Sequence, residues 1–256
     1  RYLQQLGQRD ALARGAADGD QGDEAVRVQM GVEIPAPSLV PTQGVIDLFK
    51  SVGYNGSNAG SLKSVIDGVS GAPPILAAGD GGTYYIIDGH HRWSGATVFN
   101  TNCKIPANVI VMDPGKALLV SQLAIAAYKG GGQPLPSASA KQGRSIIGSN
   151  AMSPEQVNKL LLANVGKVMD KNAGGAFMNE QVQAVVKQSN YGGGDVKGAC
   201  AQISSNCGAL AKKYSSEGPP REIMPQFDPG KGGPEFKKVA NNFSGGDINF
   251  KPKFSS

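Results

Sequence analysis

The chain has 256 residues, 40% of them hydrophobic, with 36 glycines, 16 prolines and a formal net charge of +5. That length suffices for a sizeable core, in one large domain or two small ones, while the glycine and proline content predicts a modest core with long irregular connections and tails. No run approaches the roughly 20 apolar residues that cross a bilayer, so no membrane partner is expected, and the opening stretch lacks the apolar segment of a signal peptide.

Three cysteines, Cys103, Cys200 and Cys207, form no CxxC pair, which gives no zinc pattern and favours reduced thiols in a cytoplasmic setting. Cys200 and Cys207 fall on one face if their segment is helical, about 10 Å apart and too distant for a disulfide.

In chain order, "RYLQQLGQRDALARGAA" reads as a short helix that "DGDQGDE" breaks, making residues 1–26 an N-terminal helix or arm. "AVRVQMGVEIPAPSLV" reads as extended chain ended by prolines, and "GVIDLFKSVG" as a short amphipathic helix closed at Gly53. "GSLKSVIDGVSG" gives a second short helix. "PPILAAGDGGTYYIIDG" gives two strands joined by a tight turn at Gly79-Asp80-Gly81-Gly82. "HHRWSGATVFN" fits a helix with Trp93, Ala96, Val98 and Phe99 inward. "KIPANVIVMD" is another strand, and Asp113 caps a helix that starts at Pro114. Strands and helices thus alternate through a compact unit at residues 27–129.

The glycine- and proline-rich stretch at 130–150 reads as a linker, and residues 151–214 read as helical. "SPEQVNKLLLANVGKVMDK" opens with Ser153 as N-cap and Pro154 at the first helical position. Residues 215–256 read as an extended C-terminal arm, poor in apolar side chains. The fold class expected is α+β: a small mixed-sheet domain, then a helical region, with extended arms at both ends.

Charge is uneven. Residues 114–216 hold eleven basic and four acidic residues. This excess fits attraction to nucleic acid, but a solvated lysine-rich surface is the preferred reading, since no regular aromatic interleaving accompanies the lysines.

Both histidines of the chain, His90 and His91, stand together in "YYIIDGHHRW". The stretch reads as a strand ending at a helix start, where unsatisfied amides and the helix dipole favour an anion, phosphate above all. Gly89 admits close backbone approach, Arg92 offers a bidentate grip, and His90 and His91 add donors that charge near neutral pH. Asp88 holds a Mg²⁺, orients a histidine or caps the helix. The competing assignment is structural: Asp88 caps, one histidine packs and Arg92 lies on the surface.

"DGHHR" after an apolar strand, with Trp93 next and "KIPANVIV" as the following strand, resembles the ParB/sulfiredoxin superfamily. The matching region runs from about Val28 to Asp113, with "VEIPAPSLVPTQ" as its first strand. The Asp-Gly-His-His-Arg version looks most like the free-serine kinases and related ParB-like proteins. The resemblance implies a signature loop that binds nucleotide phosphates, so ATP or ADP with Mg²⁺ would be the cofactors. Asp88 and His91 would then be catalytic, with Asp88 as metal ligand; Gly89, His90, His91, Arg92 and Gln43 would bind phosphate or nucleotide. Gln43, in Pro41-Thr42-Gln43, stands where the kinases carry a glutamate base, and His90 where sulfiredoxins carry their reactive cysteine.

Three functions follow: a nucleotide-dependent phosphotransferase or hydrolase; a ParB-like nuclease or DNA binder using residues 114–216; or a non-catalytic component of a larger assembly, such as a phage particle, joined through its terminal arms. The location expected is cytoplasmic, or a virion if phage-encoded.

Overall fold

Nine residues of extended chain, Arg27–Pro35, form strand β1 and lead through a short 3₁₀ turn, Ala36–Ser38, into the three-residue strand β2, Leu39–Pro41. The computed structural model describes residues 27–79, 81–118 and 144–215, so the N-terminal helix or arm, most of the linker and the C-terminal arm beyond residue 215 lie outside the described residues. Helices α1 (Leu48–Ser57) and α2 (Ala59–Ile66) follow, then β3 (Ile75–Ala78), β4 (Tyr84–Asp88), α3 (His90–Thr97) and β5 (Lys104–Val111). The helical region contributes α4 (Pro154–Ala163), α5 (Glu180–Gln188) and the long α6 (Val196–Lys213). The fold is α+β.

One mixed five-stranded sheet has the order β1-β5-β3-β4-β2. The pairs β1–β5 and β3–β4 are antiparallel, while β3–β5 and β2–β4 are parallel. β3 is central, and its Ile-Leu-Ala-Ala run is buried on both faces. Alternation sorts the strands' side chains: Ile75, Ala77, Ile86, Ile105 and Val109 face the main core, while Leu76, Ala78, Ile87 and Ile110 meet Ala117 and Leu118 on the other face. A bulge in edge strand β1 is fixed by Gly31 in the left-handed region, whose N–H donates to the Asn108 side chain at 2.9 Å.

The main core continues without a break into the helical region, joining Trp93, Phe99 and Ile146 to Phe177, Val182, Cys200 and Cys207. Residues 144–150, which the sequence assigns to a linker, belong to this folded body. Ile146 N–H donates to Ile46 O at 3.0 Å and Leu48 N–H to Arg144 O at 2.9 Å. α1 also departs from expectation: it continues through Gly53 to Ser57. Among the described residues, no helix is long and apolar enough to cross a membrane.

Candidate functional site

The junction of β4 and α3 is shaped by Gly89. Its φ of +100° lies in the left-handed region, and a Cβ there would stand 2.6 Å from Ile75 Cγ2 and 2.9 Å from Ile75 Cβ. Glycine alone meets both demands. As N-cap it supplies no side-chain bond; its carbonyl accepts from Arg92 N–H at 2.9 Å and Trp93 N–H at 3.0 Å. The positive end of the α3 dipole therefore has no carboxylate or hydroxyl cap from its own N-cap residue.

His90 turns inward and is 3% exposed. Its Nε2 accepts from the Thr42 backbone N–H at 3.1 Å, so the neutral ring carries its proton on Nδ1. The Thr42 hydroxyl, 3.3 Å from the same nitrogen, donates to Ile86 O at 2.6 Å. His90 thereby ties the turn after β2 to the start of α3. His91, the next residue, is half-buried.

Asp88 and Arg92 meet each other. The Arg92 guanidinium donates through Nη2 to Asp88 Oδ2 at 2.7 Å and through Nη1 to Pro74 O at 2.6 Å and Pro73 O at 3.3 Å. Burial pulls the Arg92 pKa down, opposed by the charge and hydrogen bond of Asp88. The pair spans one turn at i, i+4 and anchors the entry to β3. A cation on Asp88 would compete with this guanidinium. Among the described residues, no group of three or more His, Cys, Asp or Glu side chains is placed to hold a metal ion.

Gln43 follows Thr42 directly and is 8% exposed. Its Oε1 is buried and accepts no hydrogen bond. Buried side-chain acceptors are normally satisfied, so this oxygen is an exception that calls for a donor. On the other side of the loop, Gly148 approaches so closely that a Cβ would stand 2.3 Å from Gly44 O.

The structure thus gathers Asp88, Gly89, His90, His91 and Arg92 at one junction, and the Thr42–His90 bond brings the Gln43 turn beside it. Sequence reasoning missed Thr42, whose partner lies 48 residues away, and Tyr214, whose hydroxyl donates to Leu39 O at 2.8 Å across 175 residues. Of the basic side chains in residues 114–216, Arg144 pairs with Asp47 at 2.8 Å, and Lys213 donates to Pro37 O at 2.8 Å. Compared with protein-family models the chain gives no match, and it gives none among curated proteins.

Proposed function

We propose that this junction binds a phosphate ester bearing a neighbouring hydroxyl or amine, with nucleotides as the ligand class, and that it binds without turnover. The carrying observation is the buried, unsatisfied Oε1 of Gln43, in the turn that Thr42 ties to His90 at the start of α3, where the N-cap Gly89 supplies no side-chain bond. The helix end favours the phosphate oxygens, and Gln43 accepts from the ligand's donor. Leaving such an acceptor unmet costs about 1–3 kcal/mol, which a ligand donor would recover. The resemblance of "DGHHRW" to the free-serine-kinase branch of the ParB/sulfiredoxin superfamily supports phosphate as the anion.

Three observations support binding over proton transfer. The Gln43 amide takes no proton at neutral pH. His90 Nε2 is engaged by Thr42. Asp88 Oδ2 is engaged by Arg92, with which a Mg²⁺ on this carboxylate would compete.

Calorimetric titration with ADP, in Mg²⁺ and in EDTA, tests the reading against a Gln43→Leu variant. Wild type is expected to bind equally in both buffers. The variant is expected to lose about tenfold in affinity, some 1.4 kcal/mol, while melting at or above the wild-type temperature because the unmet acceptor is gone. No binding at millimolar ADP, or phosphoserine formed from ATP and serine, overturns the proposal.

A further inference from the structure

We infer that Tyr214, in the helical region, is a positioning residue for the Gln43 turn, so that the last turn of α6 and the ligand site are coupled. β2, which carries this turn, has three residues and pairs with β4 alone. So short an edge strand has few ladder bonds to hold it.

Tyr214 supplies the missing hold from three sides. Its hydroxyl donates to Leu39 O at 2.8 Å, at the first residue of β2. Its ring meets Trp93 of α3 edge-on, with centroids 5.6 Å apart and planes at 76°. Its carbonyl accepts from Gly148 N–H at 2.9 Å, and Gly148 is the residue pressed against Gly44, next to Gln43. Lys213 adds a bond to Pro37 O at 2.8 Å. Tyr214 is 8% exposed, and burial raises its hydroxyl pKa to about 12, so it remains a donor at any working pH. One residue at the end of α6 therefore touches the strand before Gln43 and the helix that carries His90 and His91 through its side chain, and the segment behind Gly44 through its carbonyl. Coupling of this kind is reciprocal: whatever Tyr214 does for the ligand, the ligand does for the docking of Tyr214.

The test uses the full chain with Tyr214→Phe, which keeps the ring and removes the hydroxyl. Asp195→Ala, which loses the N-cap at the opposite end of the 18-residue α6, serves as a control for general destabilisation. Amide exchange in the absence of ligand is expected to accelerate about three- to tenfold at residues 42–44 in Tyr214→Phe, with β3 and β5 unchanged. ADP affinity is expected to fall by a similar factor under conditions where the variant is folded, and Asp195→Ala is expected to leave both readouts unchanged. In wild type, ADP is expected to slow exchange at the Gly148 and Tyr214 amides.

The ADP arms rest on the phosphate-site reading; the ligand-free exchange does not. Wild-type exchange at 42–44 in Tyr214→Phe overturns the inference whatever ADP does. Local acceleration in a protein that binds no ADP supports the positioning role and sinks the phosphate reading alone. An ADP affinity equal in wild type and Tyr214→Phe overturns the coupling.

Discussion

Replacing Gly89 with alanine would set a methyl group against Ile75 at 2.6 Å and hold a β-carbon at φ +100°. Strain of this kind and overpacking each cost on the order of 1–3 kcal/mol. Gly89→Ala is therefore expected to lose at least about 2 kcal/mol in urea unfolding; a variant within about 0.5 kcal/mol of wild type would show that the turn relaxes freely. The neighbouring charges show how far residue-level reading reaches. The i, i+4 spacing of Asp88 and Arg92 is visible in the sequence and permits their ion pair, but spacing alone does not tell a phosphate grip from a clamp on Pro73 and Pro74. The Thr42–His90 bond has no local signature at all.

Among the elements, caps were legible and helix lengths less so. Ser153 and Asp113, both read from the sequence as N-caps, accept from Gln156 N–H at 3.3 Å and Lys116 N–H at 2.9 Å; the Gln156 half of the α4 capping box and the caps Asn179 and Asp195 of α5 and α6 are seen in the structure. α1 ran past its expected end because its glycines serve packing. A Cβ at Gly56 would lie 2.5 Å from the Phe177 ring, and one at Gly53 3.1 Å from Asp170 Cβ. The helix tolerates residues of poor propensity because the helical region seats against them. Gly56→Ala is expected to cost about 1–3 kcal/mol despite the better helix former, and the sign decides the matter: stabilisation would mean that the layers do not touch there. α4, conversely, stops at Ala163, since the following Gly166 takes φ +78° and bonds to Phe177 O.

For the whole molecule, the shared core sets the alkaline limit. Burial raises the Cys103 and Cys200 thiols to about 11 and Cys207 to about 12, from an ordinary 9.0. The folded state therefore keeps protons that the unfolded chain releases above pH 9. This contribution to stability is complete below pH 9 and is lost as pH rises through 11 to 12. The urea midpoint is expected to fall from pH 8 to pH 11 with uptake of hydroxide on unfolding; a flat profile would show that the thiols are accessible to water. Alternating strands, glycine and proline breaks, helix caps and the inward set Trp93, Ala96, Val98 and Phe99 were determined by the sequence alone, because each depends on residues a few positions apart. The tertiary structure alone decided that residues 144–150 join the core, that His90 faces Thr42, that Gln43 is buried with an unmet acceptor, and that Tyr214 reaches β2. Those pairings span 48 to 175 residues. No local pattern encodes them, since each partner is fixed by how all the layers pack at once.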